Sequence, residues 1–265
     1  SKGGQTTMFY RSFYPNDVDG SVSYVAPLNK SLEDGRHEPF INQAGTSEER
    51  ARIQAFQLEA LKRRATVEPM FADYCVRKGY SFRVPISEIY DLAVLEYSFA
   101  FWQWGDDVEQ IPAVDASDST YYKHLIDKCE PSYFSQQTPY TSFNVQAMRE
   151  LGYYGYETEP FEEYLSVDYT EGYMRRVMIP EELSYIEFDA NLYEHVNRFL
   201  EENDIPMMFI YGQYDPWTAT GVTWLKGKKR MHVFVEPRGS HKARVGTMPE
   251  ATQKEIMKIL RRWSK

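Results

Sequence analysis

A chain of 265 residues with 42% hydrophobic and 26% charged side chains has the composition of a soluble globular protein. With 39 Asp and Glu against 30 Lys and Arg, its formal net charge of −9 argues against a general nucleic-acid or anionic-membrane surface. No apolar run approaches the ~20 residues of a membrane span, and a chain of this size buries enough surface to need no staple.

The chain opens on Ser1-Lys2-Gly3-Gly4, with no initiator Met and no apolar leader. Three zones follow. In residues 1–30, Met8, Phe9 and Phe13 are spaced for a helix that Pro15 stops. A turn at Asn16-Asp17 leads to an alternating strand over 21–26, ended by Pro27. Residues 31–188 have few β-branched runs and many Tyr, Glu and Asp, and their periodic segments are helical. Thr46-Ser47-Glu48-Glu49 reads as a capping box ahead of Ile53, Phe56 and Leu61 on one face. The spacing of Ile89, Leu92, Ala93 and Leu95 predicts a helix over 86–100, while 112–120 and 136–142 read as polar loops. This zone is expected to be a mostly helical cap inserted into an α/β core. Cys75 and Cys129 are the only cysteines, too few for a disulfide framework and at no metal-ligand spacing, so one bridge or two inert thiols are both open.

Residues 189–265 return to α/β logic. Asp189 can cap a helix carrying Leu192, Val196, Phe199 and Leu200, which ends before Asp204-Ile205-Pro206. The apolar runs 207–211 and 231–235 have the pattern of strands buried on both faces. Thr247 and Pro249 open a last helix with Ile256, Ile259, Leu260 and Trp263 on one stripe. Helix, strand, helix, strand, helix predicts a parallel sheet with helical crossovers.

In such sheets the chemistry lies just past the carboxyl ends of the strands. Gly212-Gln213-Tyr214-Asp215-Pro216-Trp217 and Pro237-Arg238-Gly239-Ser240-His241 occupy that place on successive strands. Neighbouring loops can therefore bring the Asp215 carboxylate to a His241 ring nitrogen, the orienting pair of a nucleophilic triad. Asp215 is also placed to cap a helix, since Pro216 follows it, and the two roles are compatible. His241, after a strand end, stands above His37, His124, His195 and His232 as a candidate base. The nucleophile elbow of α/β-hydrolases is G-x-S-x-G, with chain order Ser, Asp, His. Ser1-Lys2-Gly3 supplies its Ser-x-Gly half, Gly3 being the small residue where the helix nears a strand. The Lys2 N–H would be one oxyanion donor. An N-terminal-nucleophile hydrolase, whose own amine serves as base, is disfavoured because that fold stacks antiparallel sheets.

Ser-Lys-Gly-Gly-Gln-Thr at the start, Phe13 to Gly20, Tyr24-Val25-Ala26-Pro27, Tyr211 to Trp217 and Gly239-Ser240-His241 together resemble the serine peptidase family of the secreted Streptomyces tripeptidyl aminopeptidases. The resemblance covers most of the chain and is weakest in the middle zone. It implies an α/β-hydrolase with a helical cap, secreted or surface-directed, that removes short peptides from free N-termini without a cofactor. On this match Ser1 is the nucleophile, His241 the general base and Asp215 its orienting carboxylate. Everything that precedes the nucleophile in the family is missing, so the expectation is a parallel sheet lacking its N-terminal strands. Such a fragment is expected to be inactive alone and to depend on the missing segment. In the aromatic stretch 96–105, Trp102 and Trp104 are candidates to wall a peptide site, with Glu96, Asp106 or Asp107 to hold the substrate ammonium group. An esterase of the same fold and a non-catalytic peptide-binding fragment are the rival readings.

Overall fold

The structure is a computed structural model and describes residues 1–168 and 170–264. Its sheet has three parallel strands in the order β1 (Ser21–Tyr24), β2 (Met207–Gly212), β3 (Met231–Glu236). Ser21 pairs with Met207 and Tyr24 with Ile210 on one side; Met207 pairs with Met231 and Gly212 with Glu236 on the other. Every residue of β2 is buried because both faces are covered and both edges paired. Its alternation assigns the faces. Met207, Phe209 and Tyr211 pack with Met8 of α1 (Lys2–Phe13) and with Val196 and Leu200 of the helix over Asn191–Glu202. Met208 and Ile210 pack with Ile256 and Ile259 of the last helix, Glu250–Trp263. The result is helix, sheet, helix in three layers.

Between 31 and 188 the helices build a separate apolar cluster, drawn from residues 44–178 with Trp217 as its contact from beyond β2. The capping box forms as read: Thr46 accepts the Glu49 N–H and Glu49 reaches back to the Thr46 N–H, opening the helix Ser47–Lys62. The central helix of this zone, Ile86–Trp104, extends past the expected residue 100 and buries 13 of its 19 residues. A helix apolar on nearly all sides belongs inside a core.

Several expectations are corrected. The link from β2 to β3 is no helical crossover; it holds one 3₁₀ turn, Pro216–Thr220. β3 is an edge strand, with Val235 41% exposed, so it is covered less completely than its apolar run suggested. The polar stretches 112–120 and 136–142 run into helices that begin at Asp118 and Thr141. The helix Arg64–Lys78 escaped the pattern because it carries Pro69 in its interior. On α1 the buried stripe is Gly4, Met8 and Arg11; Phe13 is exposed at its edge, stacked on His195. The close approach to the sheet is made by Gly4, where a Cβ would lie 2.9 Å from the Ala26 Cβ and nearer still to the Tyr24 carbonyl oxygen. Gly3, one residue round the helix, would meet nothing within 4 Å. Cys75 and Cys129 are buried free thiols.

Candidate active site

Because β2 and β3 are parallel and adjacent, the loops that follow them leave from the same edge of the sheet. Backbone bonds stitch them together: the Gln213 N–H to the Glu236 carbonyl at 3.0 Å and the Tyr214 N–H to the Gly239 carbonyl at 2.8 Å. Gly212 makes this approach possible, since a Cβ there would sit 2.5 Å from the Gly239 oxygen and closer to the Ser240 oxygen.

Asp215, fully buried, makes both of the contacts its position allows. Oδ1 accepts the Trp217 N–H at 3.2 Å and caps the turn Pro216–Thr220, while Oδ2 lies 2.8 Å from His241 Nδ1. A carboxylate accepts, so the ring hydrogen at Nδ1 is the one Asp215 favours, and in a neutral ring so oriented Nε2 is the nitrogen with the lone pair. The Ser1 nitrogen lies 3.1 Å from Nε2. Ser1 is the N-cap residue of α1, which packs on β1 beside β2, so positions 1, 215 and 241 converge. The Lys2 side chain is tied to Gln146 of the middle zone, and its N–H belongs to the first turn, whose donors have no intrahelical partner.

A cavity of about 550 Å³ opens at this point, within the usual size for a small-ligand pocket. Ser1, Lys2, Glu96, Trp104, Tyr154 and Trp217 are among the residues that line it. Asp215 and His241 stand behind its Ser1 and Trp104 wall rather than in the lining, and the cavities of about 410 and 720 Å³ that lie elsewhere are not lined by Ser1. Glu96 accepts the Tyr156 hydroxyl at 2.8 Å and the Tyr154 hydroxyl at 3.0 Å. Burial pushes its carboxyl up to about 7, against the lowering effect of those two bonds. Among the described residues no group of three or more His, Cys, Asp or Glu is placed to hold a metal ion.

The raised Glu96 carboxyl has a stability consequence. An acid with a higher pKa folded than unfolded costs stability as pH rises from about 4.5 to about 7. Glu96→Gln, which keeps a hydrogen-bond acceptor for both tyrosines, is expected to stabilise the protein at pH 8 by up to about 3 kcal/mol and to bring no gain at pH 4.5. Urea unfolding of both proteins at the two pH values checks this; equal differences at both would count against it.

Of the other candidates, Trp104 is 47% exposed and stands edge-on to the His241 ring at 6.1 Å. Trp102 does not line the same cavity: it is buried among the middle-zone helices, edge-on to Tyr214 at 5.4 Å, and borders the 410 Å³ cavity instead. Asp106 is engaged by Lys128 at 2.9 Å, and Asp107 caps the turn Val108–Gln110 through the Glu109 N–H at 3.0 Å. The remaining histidines have other surroundings: His37 is buried between Asn29 and the Pro216 carbonyl, His124 bonds Tyr97, and His232 stacks near Phe234. Tyr154 and Tyr156 went unread, although two tyrosines two residues apart on an extended stretch lie on one side of the chain.

A family model described as PS-10 peptidase S37 matches residues 1–264. A prolyl tri/tetrapeptidyl aminopeptidase of Streptomyces mobaraensis is 29% identical over 263 residues, which cover 94% of this chain and 53% of the relative. The chain thus spans about half the length of the curated relative it matches.

Proposed function

Since the chain belongs to the peptidase S37 family, we propose that it carries the catalytic centre of a serine exopeptidase that releases short peptides from free N-termini. The observation that carries this reading is His241, held by Asp215 at 2.8 Å through one ring nitrogen, with the α-nitrogen of Ser1 3.1 Å from the other, which brings the residue that bears the hydroxyl to the free side of the ring. In the proposed reaction the Ser1 hydroxyl attacks the scissile carbonyl while His241 Nε2 takes its proton. Asp215 fixes the tautomer and stabilises the imidazolium, and the Lys2 N–H faces the developing oxyanion. His241 returns the proton to the leaving amine, and a water activated by the same imidazole releases the acyl group from Ser1. Glu96 receives the substrate ammonium group in the shared cavity, and Trp104 forms part of its wall.

This reading treats the sheet and its flanking helices as an α/β-hydrolase core, 1–30 with 189–265, and 31–188 as its cap. It extends to a secreted or cell-surface address; among the described residues no helix is long and apolar enough to cross a membrane. A fluorophosphonate probe applied to the protein that carries this sequence should label Ser1, as located by peptide mass spectrometry. Ser1→Ala should lose the label. Labelling at another serine, or equal cleavage of free and N-blocked tripeptidyl reporters, would overturn the assignment.

A further inference from the structure

We propose that the central cap helix, Ile86–Trp104, is a ruler that sets how many residues are released: Glu96 holds the substrate ammonium group at one mark, and the helix C-terminus holds the His241 loop at the other. The inference rests on the exopeptidase reading above. Its first support is a direct joint between this helix and the catalytic loop. The Gln103 carbonyl accepts the His241 N–H at 2.9 Å. Gly105, at φ +66°, ends the helix so close to Ser240 that a Cβ would lie 2.9 Å from the Ser240 Cβ. The Trp104 ring stands against the His241 ring.

The second support is the uncommitted state of Glu96. Its neighbours Tyr154 and Tyr156 are uncharged donors, and among the described residues no cation is bonded to it. Glu130, another carboxylate at the cavity, is already engaged by the Ser132 N–H at 2.9 Å and the Tyr74 hydroxyl at 3.1 Å. The third is length. From Glu96 to Gln103 is seven residues, about 10 Å of helix rise. Extended peptide advances about 3.3 Å per residue, so this interval matches roughly three residues of substrate. With most of the helix locked in the cap core, the interval is rigid.

Ala100 lies one turn further along and lines the same cavity. Moving the carboxylate there, in the double variant Glu96→Gln with Ala100→Glu, shifts the anchor about 6 Å toward the His241 end. Peptides released from a long substrate should shorten by one or two residues, read by mass spectrometry. The single variant Glu96→Gln should lose about tenfold or more of kcat/KM on free-amine substrates and leave N-blocked ones unchanged. Products of unchanged length from an active double variant would overturn the ruler.

Should the double variant fail to fold, the wild-type protein supplies the test. A substrate whose first two residues are replaced by 5-aminopentanoyl keeps the ammonium-to-carbonyl span and should be cleaved within about tenfold of the parent. The 3-aminopropanoyl analogue, two atoms shorter, should lose most cleavage at that bond. Equal cleavage of both would also overturn the proposal. Fluorophosphonate labelling of Ser1, measured alongside, separates a failed ruler from a failed nucleophile assignment.

Discussion

His241→Ala is expected to lower kcat by about 10⁴-fold or more on a free-amine tripeptidyl reporter, with KM little changed. In the proposed mechanism the imidazole is both the base that activates Ser1 and the acid that frees the leaving amine, and removing either function removes transition-state stabilisation rather than ground-state binding. Asp215→Asn should approach the same loss, about 10⁴-fold, by a different route. The carboxamide can donate to Nδ1, which moves the ring hydrogen to Nε2 and turns the base away from Ser1. Its Oδ1 can still accept the Trp217 N–H, so the capped turn and the fold should survive. Steady-state kinetics with circular dichroism of both variants checks this. Retention of activity within tenfold in either would remove the residue from the proposed triad. The double variant should be no worse than His241→Ala alone, because the pair acts as a unit.

Gly212→Ala should be among the most damaging changes to stability. The new methyl would meet two backbone carbonyl oxygens, those of Gly239 and Ser240, which cannot swing aside as a side chain can. Relief requires the β3 loop to separate from the β2 loop, breaking the Tyr214 to Gly239 bond and drawing His241 away from Asp215. A loss of about 3 kcal/mol or more is expected, together with most of the activity. Gly3→Ala is the control: with no atom within 4 Å and a helical position, it should be neutral or stabilising by up to about 1 kcal/mol. Urea unfolding of the two variants reads both effects, and a Gly212→Ala protein as stable as the wild type would show that the loops can part at no cost.

Local physics made a good part of this molecule legible in its residues alone. The capping box at Thr46, the wholly buried run of β2 and the stripe of Ile256 and Ile259 each arise from neighbours in sequence, where periodicity and capping chemistry act. The same holds for the placement of Asp215 and His241 after successive strands, since parallel strands put their ends together whatever connects them. The helix over 64–78 is obscured by Pro69, a breaker tolerated once the surrounding helices pack around the turn.

Sequence alone thereby determined the parallel α/β character, the helical middle zone and the pairing of Asp215 with His241. Tertiary structure decided which side of the helix Ile86–Trp104 meets the cavity. That helix is apolar on nearly all sides, so no periodic stripe separates Glu96, which reaches the cavity with Ser1, from Trp102, which turns toward the 410 Å³ cavity. Only packing against Tyr154, Tyr156 and the His241 loop sets its rotation, and those partners lie 50 to 150 residues away along the chain. It was likewise the crossing of α1 over β1 that chose Gly4 over Gly3 as the point of contact: one residue is about 100° round a helix, and nothing in the glycine pair itself says which member faces the strand.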